Sequence, residues 1–140
     1  IGLFHPVPLM IAFVSFIYEG IFDRYPDLRV AFLEGGCAWV ALLLDRGARA
    51  AEFNEPPKRP FPEYFTSGQV LIGCEGVDPS LPYLTKRLGI NPFAYSSDYP
   101  HEVDFAAALH EIEETLESSE LMEEEKAAVL GENAQRFYRL

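Results

Sequence analysis

The run Ala94-Tyr95-Ser96-Ser97-Asp98-Tyr99-Pro100-His101 takes a short apolar segment into Ser-Ser-Asp, a proline stop and a histidine. An aspartate placed where a buried strand runs out suits a divalent-metal ligand, or a carboxylate that takes a proton from metal-bound water. The same position suits the cap of a following helix or turn, and spacing alone leaves both readings open. Two other apolar runs also end in an acid, at Glu34-Gly35-Gly36 and Cys74-Glu75-Gly76. Glu34 ahead of two glycines leaves room for a substrate against the backbone. It also reads as a buried carboxylate held by hydrogen bonds in a strand-to-helix turn. Glu75 reads as the more structural of the two. His101 either lines the rim or steadies the loop, and His5 before Pro6 fits a substrate-binding loop or a plain turn. His110, inside a helical pattern beside Glu111, reads as exposed. Cys37 and Cys74 lie far apart in sequence without an evident histidine partner, and read as small packing residues.

These acids need a scaffold that brings strand ends together. Leu9 to Asp23 is apolar at nearly every turn position and predicts a buried helix. Leu28 to Leu33 predicts a buried parallel strand, and Cys37 to Ala51 an amphipathic helix with Trp39, Leu42, Leu43 and Arg46 on one side. Four prolines between Asn54 and Pro62 make a loop, and Glu63 to Ser67 a short helix. Val70 to Cys74 is a second strand. Pro79 to Leu88 is a helix capped by Asp78 and stopped by Gly89, and Phe93 to Ser96 a third strand. Val103 to Leu116 and Leu121 to Leu130 are helices, the latter starting near Ser119 and closed by Gly131, with a last turn or two from Glu132 to Tyr138. Strand, loop and helix recur three times, the grammar of a parallel α/β sheet. In such sheets ligands bind at the carboxyl ends of the strands, so the three acids are expected on one rim.

The 140 residues are enough for one domain with a real core, and no internal boundary is visible. A hydrophobic content of 49% argues against disorder. The net charge of −11 speaks against nucleic acid, since no basic stripe exists. Part of that charge is local: eight glutamates and no Lys or Arg lie between His110 and Glu125, read as one solvated helical face. The apolar stretch from Pro6 to Tyr18 is shorter than the ~20 residues of a membrane helix, and the two scattered cysteines fit a reduced, cytoplasmic setting. No phosphate loop, dinucleotide fingerprint, HExxH or GxSxG occurs, which removes support for nucleotide binding and serine-hydrolase chemistry. The chain opens on Ile1-Gly2-Leu3, directly into an apolar segment, and this suggests a piece of something longer.

Several stretches in order resemble the amidohydrolase-related branch of the metal-dependent hydrolases, the branch that includes aminocarboxymuconate semialdehyde decarboxylase. They are Gly20 to Val30, Ala31 to Trp39, Glu63-Tyr64-Phe65, Tyr95 to His101 and Leu130-Gly131-Glu132-Asn133-Ala134. The resemblance implies the C-terminal portion of a (β/α)8 TIM barrel over residues 1–140, about the last three strands with their helices. It also implies a divalent metal, commonly zinc, at the carboxyl-end face. Asp98 then matches the last-strand metal ligand and proton-transfer group, with Glu34, His101 and His5 around a small-molecule substrate. Decarboxylase members carry a histidine where this chain has Glu34, so the resemblance implies hydrolysis ahead of decarboxylation. The family's first-strand His-x-His pair and fifth-strand histidine have no counterpart here. The competing expectation is a barrel fragment without metal, whose open strand edges favour a homo-oligomer. A flavodoxin-like small-ligand module is the third reading.

Overall fold

A computed structural model describes residues 4–53, 55–76 and 78–140. Its elements in chain order are α1 (Pro6–Tyr18), α2 (Ile21–Arg24), β1 (Val30–Phe32), α3 (Ala38–Phe53), α4 (Phe61–Thr66), β2 (Val70–Cys74), α5 (Leu81–Leu88), β3 (Phe93–Tyr95), α6 (Phe105–Glu117) and α7 (Glu123–Ala127). A π-helical turn (Ala128–Glu132) then leads into α8 (Asn133–Tyr138). The strands form one parallel sheet in the order β1-β2-β3, with Phe32 opposite Ile72 and Ile72 opposite Phe93. All five residues of β2 are buried, as a central strand covered on both faces requires.

Phe13 is the hub of the core. Its ring stacks on Phe65 at 4.3 Å and meets Phe32 and Trp39 edge-on at 5.5 and 5.7 Å. A helix, a strand and two later helices thereby lock onto one side chain. Gly47 lets α3 approach α4, because a Cβ there would sit 2.7 Å from the Phe61 ring.

Some expected boundaries move. The helix expected over Leu9–Asp23 divides, since Gly20 adopts φ +66 and ends α1. Pro6 and Pro8 fall in the first turn, where a missing N–H costs nothing, so the helix starts earlier. Nor is α1 wholly buried: Phe13 and Ile17 are, whereas Val7, Ile11 and Tyr18 are exposed. On α3 the buried side is Trp39, Val40, Leu43 and Leu44, while Leu42 and Arg46 face outward. The helix after Asp78 begins only at Leu81, so Asp78 is not its N-cap. Gly131 does not end a helix either. The chain runs on through the π-turn, and Asn133 sends its amide to the Ile90 and Phe93 carbonyls at 2.9 and 2.7 Å.

A buried polar network braces the segment before β1. Gln69 Nε2 donates to the carbonyls of Phe22, Tyr25 and Leu28 at 3.1, 3.0 and 3.3 Å. Arg59 pairs with Asp23 at 2.9 Å, lies over the Tyr64 ring and donates to Gln69 Oε1. The Tyr64 hydroxyl donates to Asp23 Oδ2 at 3.0 Å, and burial raises its pKa. These contacts give the Gly20–Val30 stretch a structural task. Among the described residues no helix is long and apolar enough to cross a membrane.

Candidate functional site at the strand carboxyl ends

The three strand ends do meet. His5, Glu34, Glu75, Ser97, Asp98 and Glu111, with Glu102 and Val103, line a cleft of about 90 Å³. Glu34 follows β1, Glu75 follows β2, and Ser97-Asp98 follows β3. Parallel strands in register place the ends of all three on one rim.

Asp98 is not a helix cap. The N-cap of α6 is Asp104, whose carboxylate accepts the Ala107 N–H at 2.8 Å. The Asp98 side chain is 22% exposed, and its carboxylate lies beside the His101 imidazole, Nδ1 to Oδ2 3.7 Å. Its backbone carries φ +55, and Glu34 carries φ +61. Left-handed backbone at a non-glycine residue costs about 1–3 kcal/mol and tends to persist where function needs the geometry. Glu34 is exposed rather than buried in a hydrogen-bonded turn. The two glycines after it do not open the backbone to a substrate. A Cβ on Gly35 would meet Leu9 and Pro6 of α1, and one on Gly36 the Asp78 carboxylate.

His5 stands at the start of α1 and reaches the same cleft. His101 lies outside its lining, 76% exposed, and touches the site only through Asp98. His110 is exposed beside Glu114, as the sequence suggested.

Three side chains do more than the sequence reading gave them. Asp78 Oδ2 accepts the Cys37 N–H at 2.7 Å while Oδ1 accepts that of Ser80, so one carboxylate ties the start of α3 to the approach to α5. Glu111 belongs to the acidic run read as a solvated face, yet it is half-buried, 3.0 Å from the Tyr95 hydroxyl. That hydroxyl also lies 3.0 Å from the Ala108 carbonyl. Burial, then the Glu111 carboxylate, push the Tyr95 pKa up to about 12. Glu75 is the third. Partial burial raises its carboxyl above the usual range, with Asp78, Glu111 and Asp98 adding repulsion against a hydrogen bond from the Gly36 backbone. Cys37 and Cys74 are free, buried and adjacent. The hydrogen bond between their thiols, then burial, raise the Cys37 pKa, which keeps that thiol protonated and unreactive.

Metal dependence is typical of amidohydrolases. Among the described residues no three His, Cys, Asp or Glu side chains gather to hold an ion. The residues present therefore do not fit a complete metal centre.

The geometry agrees with what the chain is similar to. An amidohydrolase family model matches residues 2–140. Among solved structures, an amidohydrolase from Mycobacterium avium subsp. paratuberculosis superposes with a TM-score of 0.78 at 24% identity, over 96% of this chain and 34% of that one. The 5-carboxyvanillate decarboxylase of Sphingomonas paucimobilis gives 0.68 at 30% identity, over 91% and 38%. The 2,6-dihydroxybenzoate decarboxylase of Rhizobium gives 0.72 at 22%, over 93% and 40%. The chain thus spans 34–40% of the length of these three structures. No curated protein matches it. With the family model matching nearly every residue, and a parallel sheet whose acids share one rim, this chain belongs to the amidohydrolase family.

Proposed function

We propose that this chain supplies the carboxyl-end rim of a metal-dependent hydrolase, the C-terminal part of a (β/α)8 barrel acting on a small carbonyl or carboxylated substrate. The observation that carries the reading is the meeting of Glu34, Glu75 and Asp98 in one cleft, two of them in left-handed backbone. Asp98 is the proton-transfer carboxylate. It accepts a proton from the attacking water and returns it to the leaving group. In the company of ligands that these residues do not provide, Asp98 is also a carboxylate ligand to a divalent metal, zinc by the family resemblance. Glu34 and His5, both on the cleft lining, orient the substrate.

Decarboxylation is the second reading, favoured by the two decarboxylases among the similar structures. A turnover screen over small amides and lactones on one side and hydroxybenzoates on the other, scoring acid release against CO2 release, separates the two. Asp98→Asn should lower kcat/KM by about 10²–10⁴-fold on the accepted class, with the thermal midpoint retained. Undiminished turnover in Asp98→Asn removes the proton-transfer role. Metal analysis of the purified 140-residue chain should find less than one equivalent, and a full equivalent of zinc would show a complete site in this chain.

A further inference from the structure

A second cavity lies at the opposite end of the sheet, where the strands begin. It holds about 410 Å³ between the Thr66–Gly68 turn ahead of β2, Asn91-Pro92 ahead of β3, and Asn133, Arg136 and Phe137 of α8. Two observations set it apart. None of its lining residues is acidic, in a chain with 22 Asp and Glu against 11 Lys and Arg. Its one charged group, Arg136, makes no ion pair among the described residues. The guanidinium rests on neutral amide oxygens: Nη2 donates to Asn91 Oδ1 at 3.3 Å and to Asn133 Oδ1. That leaves Nη1 and Nε of Arg136, and the Asn91 amide N–H groups, as donors at the mouth. A second guanidinium, from Arg29, lies 5.8 Å from the Phe137 ring and bonds the Phe137 carbonyl from behind. Phe65, Val70, Pro92 and Phe137 give the cavity an apolar wall.

We propose that this cavity is a second binding site, taking a small organic monocarboxylate with a compact apolar body. The carboxylate would meet the Arg136 fork and the Asn91 amide, and the body would sit against the half-buried Phe137. Arg is suited to this because its donors match a carboxylate in one plane, and no protein anion competes for it. The site is separate from the strand-end cleft, with which it shares no lining residue.

Calorimetric titration of the purified chain with benzoate, and with neutral benzamide as a control of the same shape, tests this. Benzoate should bind saturably and benzamide at least tenfold more weakly. Arg136→Gln should weaken benzoate binding by about tenfold to a hundredfold, the range for hydrogen bonds to a charged group. Asn91→Ala, an exposed turn substitution that keeps the backbone carbonyls bonded by Asn133, should weaken it severalfold and keeps the test valid if Arg136→Gln misfolds. Asp98→Asn should leave binding unchanged. The proposal is overturned if benzoate does not bind, if benzamide binds equally well, or if both cavity variants bind as the wild type does. It is overturned too if Asp98→Asn removes binding, which would move the carboxylate to the cleft.

Discussion

Glu34 and Asp98 hold conformations that glycine would adopt without strain. Glu34→Gly should therefore gain about 1 kcal/mol of stability while lowering turnover, and urea unfolding beside an activity assay reads both. A loss of stability would mean that the Glu34 side chain makes contacts outweighing its strain. Glu75 gives a pH signature. Its folded pKa lies above the unfolded value, so the fold favours the protonated form. Stability from this group is present below the unfolded carboxylate range and declines as pH rises toward the folded pKa. Glu75→Gln should then raise the melting temperature at neutral pH, with the gain vanishing in acid. Equal gains at both ends of the range would assign the effect to packing. Asp98 was legible because strand, acid and proline stop sit together in sequence. Glu111 was not, because in a run of eight glutamates nothing local says which one the fold turns inward. Asp78 was seen as a cap, but its main partner is 41 residues away at Cys37, and spacing cannot show that.

At the scale of elements, strands and most helices were readable from apolar runs bounded by acid, glycine and proline. The misplaced boundaries turn on single residues: Gly20 ended α1 although the apolar pattern ran through it, and Gly131, read as a stop, did not end its helix. Gly131 sits inside continuous helix because the π-turn aims the Asn133 amide at the carbonyls flanking the start of β3. Asn133→Ala frees both carbonyls and should cost about 2–3 kcal/mol, measurable by chemical denaturation. A cost below half of that would show that water replaces the amide. Phe13→Ala removes the ring on which four other aromatic side chains converge within 6.0 Å, and should cost about 3–5 kcal/mol.

Across the whole molecule, the parallel α/β architecture followed from the order of elements alone, whereas the cavity at the strand beginnings left no sequence signal. Its residues come from three separate stretches, and none of them stands out locally. The sheet has β1 and β3 at its edges, and Phe4, Val7, Ile11 and Tyr18 are exposed along one helix and its entry. Self-association at micromolar concentration is expected, read by sedimentation velocity, and Ile11→Glu should weaken it. A strictly monomeric wild type would show that these surfaces are tolerated in water. The two ends of the sheet differ in another respect. Five carboxylates line the cleft where the strands finish, and none lines the Arg136 cavity where they start, so the two sites present opposite charge. Adsorbed on a cationic support at low salt, it should settle with the cleft against the resin and the Arg136 cavity facing the solvent. Immobilisation chemistry would then decide which end of the molecule a ligand can reach.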